Sequence, residues 1–173
     1  MTIDPVIATI VQYGLAWLFL AAAMHKARDL TDFRSVLATY RVVPDALVTP
    51  AAWVVMAAEI AIGVGLLLRQ PVAYAGAAAL LVGYALVIAL NLARGRRFID
   101  CGCGGATQPL STGLVVRNAM LAIVATIGLV PVASRTIGWI DIVSIVAGVV
   151  VAGALYGAIN QLLAARARLE EWV

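Results

Sequence analysis

Histidine occurs once in this chain, at His25, and cysteine twice, at Cys101 and Cys103. Two cysteines supply at most two of the four ligands of a structural zinc site, and His25 lies more than seventy residues away, so no metal centre is expected within one chain. Charge is also scarce: Asp, Glu, Lys and Arg make up 12% of the 173 residues, against 64% hydrophobic. No tract is basic enough for a nucleic-acid surface, and the net charge of +3 reports lipid surface and topology instead. A mean hydropathy of +1.02 excludes an ordinary soluble domain and implies an integral membrane protein. The residues ahead of the first apolar run contain Asp4 and no Lys or Arg, so that run reads as a retained helix, not a removable signal peptide.

Crossing a hydrocarbon core of roughly 30 Å takes about 20 apolar residues in a helix. Five runs qualify as candidate spans: Val6–Met24, Ala51–Leu68, Val72–Leu92, Leu114–Ala133 and Trp139–Leu163. With five spans, one side receives Lys26, Arg28, Arg34, Arg41, Arg94, Arg96, Arg97, Arg166 and Arg168, and the other only Arg69 and Arg135. Arg117 falls inside a span. The asymmetry predicts an outside N-terminus, a cytoplasmic C-terminus and a cytoplasmic cysteine loop.

Between the first two spans, His25–Thr49 carries Leu30, Phe33, Val36, Leu37 and Tyr40 at helical spacing, opposite Arg28, Asp32 and Arg34. That pattern predicts an amphipathic helix in the membrane interface, with Pro44 and Pro50 framing the entry to the second span. Arg69, Gln70 and Pro71 make a tight hairpin. Ala93–Gly113 is the one substantial irregular segment, and Ser111-Thr112 ends it as a helix start signal. Gly153 and Gly157 form a Gly-x-x-x-Gly in the fifth span, read as packing within the bundle or as a seam for a second copy of the chain. The fold class is all-α: a single domain over residues 1–173, an up-and-down membrane bundle of about five transmembrane helices plus the interfacial helix.

The chemistry concentrates in Asp100-Cys101-Gly102-Cys103-Gly104-Gly105. A Cys-x-Cys disulfide closes a very small ring, and strained, exposed disulfides exchange more readily than they staple. Arg96 and Arg97 would stabilise a thiolate, whereas Asp100 and apolar burial would oppose it. Glu59, half-way along the second span, needs a cation or a proton. Arg117, about one turn into the fourth span, and Lys26, at the end of the first, are at compatible depths, so a cluster of Glu59, Arg117 and Lys26 is expected under the cysteine loop. It reads equally as a helix-registering ion pair or as a charge relay. Asn91 and Asn118 are placed to tie the loop's ends across helices. Asp141 reads as a cap, and His25 as interfacial.

These residues, in this order, resemble the MauE branch of the MauE/DoxX-like membrane proteins. The resemblance runs from His25-Lys26 through Asp29, Phe33, Tyr40 and Pro44, then Glu59, Asn91-Leu92 and Arg94-Gly95, to Asp100-Cys101-Gly102-Cys103, Pro109-Leu110-Ser111 and Arg117-Asn118. It implies a redox-associated membrane protein that works beside a thioredoxin-like protein in disulfide formation and maturation of a client, in the namesake case the disulfide-rich small subunit of methylamine dehydrogenase. Two departures stand out. Gly104 replaces the aromatic of the commoner family motif, and the charge count puts the cysteines on the cytoplasmic side although the namesake client is extracytoplasmic. A re-entrant loop, arginines kept for function, or electrons entering from the cytoplasm would each reconcile the latter.

The reading that results is a thiol–disulfide relay in the cell membrane, with Cys101 and Cys103 catalytic and Asp100, Glu59, Arg117, Lys26, Arg96 and Arg97 in support. Its partners are a thioredoxin-like protein, a client protein and the bilayer. No cofactor beyond the cysteine pair is called for, and a quinone is compatible with the chain without being indicated by it. The alternatives are a non-catalytic scaffold for an oxidoreductase and, last, a transporter of a soft metal or small solute.

Overall fold

The computed structural model describes residues 2–96, 99–102 and 108–170, with side chains to 166 in the last stretch. Arg97, Cys103 and Gly104 of the sequence reading lie outside the described residues. Six helices follow in order: α1 (Pro5–Arg28), α2 (Leu30–Thr39), α3 (Asp45–Leu67), α4 (Pro71–Ala93), α5 (Thr112–Ile127) and α6 (Trp139–Glu170). Four of them, α1, α3, α4 and α6, are long and apolar enough to cross a membrane, and α5 is a shorter apolar helix of 16 residues. This is a helical bundle of multi-pass membrane type.

Local sequence sets the boundaries. Asp4 caps α1 by accepting from the Val6 N–H at 2.8 Å, and Pro5 follows in the first turn. Asp29 ends α1 and also caps α2, its carboxylate accepting from Asp32 N–H at 2.8 Å, so a single residue turns the chain into the interfacial direction. The helix expected within His25–Thr49 is therefore α2 alone, with His25–Arg28 belonging to α1.

The second span begins at Asp45 rather than Ala51, carrying Pro50 inside the helix. The proline forfeits one hydrogen bond near the helix start, where the backbone has the least to lose. α5 ends at Ile127, short of the expected Ala133, because the chain turns at Gly128 and runs on to pair with the N-terminus. Gly128 also permits α4 to come close: a Cβ there would lie 2.1 Å from the Tyr74 ring.

The bundle has two distinct ends. At the first, Ile3 N–H donates to Pro131 O (3.0 Å) and Ala133 N–H to Ile3 O (2.8 Å), joining the N-terminus to the α5–α6 connection. At the other lie α2, the cysteine loop and the later part of α6, where Gly113 meets Leu163. α5 thus leads from the cysteine end, and residues 128–133 finish the passage, so the chain traverses the bundle five times. α1 packs most extensively on α3, and α4 on α5, while α6 lies outside against α1. Gly148 of α6 abuts Ile10, and Gly153 faces the Trp17 ring, so one glycine of the Gly-x-x-x-Gly packs within the chain; a Cβ at Gly157 would meet open space.

Two apolar clusters fill the interior. Leu15, Phe19, Leu66, Tyr74 and Leu81 belong to the one nearer the N-terminus, and Tyr40, Ile88, Ile99, Cys101, Leu110 and Leu114 form the one under the cysteine loop. Leu86, Val116, Val143 and Val150 are among the exposed apolar side chains, as a surface facing lipid requires.

Candidate functional site

The described part of the cysteine loop is tied down by main-chain hydrogen bonds. Cys101 N–H donates to Gln108 O (2.9 Å) and Leu110 N–H to Ile99 O (3.1 Å), a short antiparallel ladder around Asp100 and Pro109. Within it, Asp100 Oδ1 accepts from Gly102 N–H at 2.9 Å. Gly102 has φ +66, and a Cβ there would sit 3.0 Å from Val36 Cγ1, so both handedness and space demand glycine. Helix α2 thereby forms the seat of the loop. Tyr40 strengthens it by donating its hydroxyl to the Cys101 carbonyl at 3.0 Å. Burial, and then the nearby Asp100 carboxylate, push the Tyr40 hydroxyl well above its ordinary pKa, keeping it a donor at physiological pH. Cys101 is 9% exposed and disulfide-bonded.

Below the loop, Glu59 of α3 is fully buried and paired with Lys26 in the last turn of α1, Nζ to Oε1 at 2.7 Å, with Lys26 only 5% exposed. The Tyr84 hydroxyl on α4 donates to the same Oε1 at 2.7 Å. Lys26 Nζ also stands 5.1 Å from the Phe33 ring centre and 5.9 Å from that of Tyr84. The other carboxylate oxygen, Oε2, takes no hydrogen bond among the described residues.

Arg117 of α5 is brought to the same region with different contacts: it donates to the Asn160 side chain of α6 and lies 5.5 Å from the Tyr156 ring. Asn160 also accepts, through its carbonyl, from Gln108 of the cysteine loop at 3.2 Å. Of the expected trio, the fold pairs Glu59 with Lys26 among the described residues. Arg96 is half-buried beside the loop, its backbone N–H donating to Asn91 O at 3.0 Å. Among the described residues Asn91 and Asn118 do not tie helices together: each amide donates into its own helix, to Val87 O and Leu114 O. His25 is exposed, and no cluster of three or more His, Cys, Asp or Glu occurs among the described residues.

One cavity of about 310 Å³ joins these parts. Lys26, Glu59, Tyr84, Cys101 and Arg117 line it, with Phe33 and Val36 of α2 and apolar side chains of α1, α3 and α4 making most of the wall. Tyr84, Tyr156 and Asn160 are the participants sequence reasoning missed. A buried carboxylate demands more than one donor, and Tyr84 shares a face of α4 with Asn91, seven residues on; that pattern was the available signal.

The model of the family described as methylamine utilisation protein MauE matches residues 4–131, which contain α1 to α5 and the cysteine loop. The chain belongs to the MauE family. It is 42% identical over 128 residues to methylamine utilization protein MauE of Paracoccus denitrificans, covering 71% of this chain and 68% of that protein. The MauE proteins of Methylorubrum extorquens and Paracoccus versutus are 40% and 37% identical over 126 residues, each covering 70% of this chain and 68% of theirs. No solved structure matches. The MauE match includes Lys26, Glu59, Tyr84, Cys101 and Arg117 but stops before α6, so Tyr156 and Asn160 lie beyond it.

Proposed function

We propose that this MauE-family chain is a membrane thiol–disulfide relay acting in methylamine utilisation, the process its relatives are named for. The observation that carries the reading is the disulfide-bonded Cys101, held by Tyr40 and Gln108 at the rim of a membrane bundle. A thiolate of a thioredoxin-like partner attacks one sulfur of the Cys101–Cys103 disulfide, forming a mixed disulfide and releasing the other sulfur as a thiolate. The partner's second thiolate then attacks the partner's first sulfur and displaces this chain's cysteine as a thiolate, leaving an oxidised partner and a reduced cysteine pair. The oxidised partner passes its disulfide to a client. Asp100 and Gly102 position the loop, and Arg96 supplies positive charge beside it.

The basic end is assigned to the cytoplasm. Lys26 is neutralised by Glu59 and drops out of the topological count, which leaves eight against two on short loops. A reporter fused after Val173 should therefore read as cytoplasmic, and periplasmic activity of an intact fusion would reverse the orientation.

Alkylation of the purified protein tests the relay. Thiols should be labelled only after reduction, and thioredoxin should change the labelling. One of Cys101→Ser and Cys103→Ser should trap a mixed disulfide with the partner. Full complementation by the double serine variant at native expression would sink the relay in favour of a scaffold.

A further inference from the structure

The wall of the cavity combines features that a relay by itself does not need. It is apolar over most of its area and embedded in the bundle, yet the disulfide-bonded Cys101 borders it, and so does a fully buried carboxylate with one oxygen unsatisfied among the described residues. A buried ion pair is costly unless its remaining lone pairs and protons are also satisfied. Here the Lys26 ammonium gives one of its three N–H groups to Glu59, Glu59 Oε2 is a buried acceptor with no partner among the described residues, and both residues line the cavity. A donor beside an acceptor, in a mostly apolar chamber bordered by the disulfide-bonded Cys101, suits a small ring whose oxygen is a carbonyl in one state and a hydroxyl in the other. The volume, about 310 Å³, is at the low end of small-molecule pockets and accommodates a ring-sized head, not a whole lipid.

We infer that the cavity binds the head group of a membrane quinone, which takes electrons from the reduced cysteine pair. The inference rests on the relay reading and names its terminal acceptor. The reaction balances as one dithiol plus one quinone giving one disulfide plus one quinol: the sulfur–sulfur bond forms, two electrons pass to the ring, and the two thiol protons end on the quinol oxygens. Lys26 donates to the quinone carbonyl oxygen. Glu59 Oε2 accepts from the hydroxyl that replaces it, and Tyr84 holds Glu59 in place through Oε1. Arg117 also lines the cavity, donating to Asn160 and lying 5.5 Å from the Tyr156 ring.

The test uses the full chain in lipid nanodiscs, reduced, freed of reductant, and mixed with decylubiquinone. One equivalent of quinone should be reduced per chain, read by its ultraviolet absorbance, with return of the alkylation-resistant disulfide. Glu59→Gln and Tyr84→Phe should weaken quinone binding about tenfold, the scale of one buried hydrogen bond to a charged group. Should Glu59→Gln fail to fold, Gly83→Leu serves instead: Gly83 lines the cavity, a Cβ there meets no atom within 4 Å, and the added side chain should block binding while the protein elutes as a single species. Exchange with thioredoxin but neither binding nor reduction of decylubiquinone would overturn the quinone inference and leave the relay standing. Co-purified phospholipid that decylubiquinone cannot displace would do the same. Labelling that thioredoxin never alters would remove the relay, and the quinone as its acceptor with it.

Discussion

The two ends of the bundle hold charge in opposite ways. At the N-terminal end, Arg135 binds Asp4 at 2.9 Å and Asp141 at 2.8 Å in a trio open to solvent, with Arg135 and Asp4 about 40% exposed. At the cysteine end, Lys26 and Glu59 meet at 2.7 Å out of reach of water. The first arrangement is a fastening: it reinforces the Ile3–Pro131 and Ala133–Ile3 hydrogen bonds and can be screened by salt without harm to the interior. The second carries a desolvation penalty that hydrophobic residues of the same volume would avoid. Buried charge retained at that cost, beside a cavity and a disulfide, distinguishes the end to which we assign the chemistry from the end that closes the bundle.

The comparison is broken most completely by Cys101→Ser. Turnover of the partner should be lost altogether, a trapped mixed disulfide through Cys103 at most remaining, while membrane insertion stays normal, since Cys101 lies outside the spans; residual turnover in this variant would move the chemistry elsewhere. Next in size is the buried pair. Lys26→Met or Glu59→Leu alone should destabilise by about 3–5 kcal/mol, and the double variant by much less than the sum, as measured by denaturation in detergent. Glu59→Leu and Arg117→Met, by contrast, should combine additively, because α3 packs on α1, α2 and α4 and not substantially on α5. Coupling between them would redraw the site.

Smaller effects follow in the loop. Gly102→Ala should cost about 1–2 kcal/mol, from positive φ and the Val36 contact, and should raise the rate at which reductant opens the disulfide. Tyr40→Phe should lower stability by about 1 kcal/mol. The smallest effect belongs to the N-terminal trio. Hydrogen bonds from Arg135 and then from the Val6 N–H hold the Asp4 carboxyl below its ordinary 3.8. A lowered carboxyl contributes above its unfolded-state pKa and loses that contribution as pH falls through the folded value. Acidification below about pH 4 should therefore lower the protection of the Val6 amide against exchange, taken relative to its intrinsic rate at the same pH; Arg135→Gln should produce the same loss of protection at neutral pH.

Much of this was legible in the sequence, and the reasons for the rest are specific. Apolar runs located α1, α3, α4 and α6, and periodicity located α2, because lipid and interface impose composition directly. Pro50 looked like a helix boundary; a proline one and a half turns from the start is tolerated, so α3 begins earlier. Glu59 announced its need for a cation, and depth along the helices offered both Lys26 and Arg117. Depth says nothing about rotation or about which helices touch, and the α1–α3 contact decided for Lys26. Asn160 stayed hidden among apolar neighbours, since its importance comes from touching Gln108 and Arg117, residues 52 and 43 positions away.

Helix α5 leaves its passage unfinished. At 1.5 Å per residue its 16 residues rise about 24 Å, some 6 Å less than a typical hydrocarbon core. Residues 128–133 complete the passage, and there the backbone groups of Pro131 and Ala133 find their partners in Ile3 instead of in a next turn of helix. The first residues of the chain thus act as a substitute helical turn for a segment more than a hundred positions away: Ile3→Pro, which removes the N–H given to Pro131, should speed amide exchange at Ala133 and leave α5 itself protected.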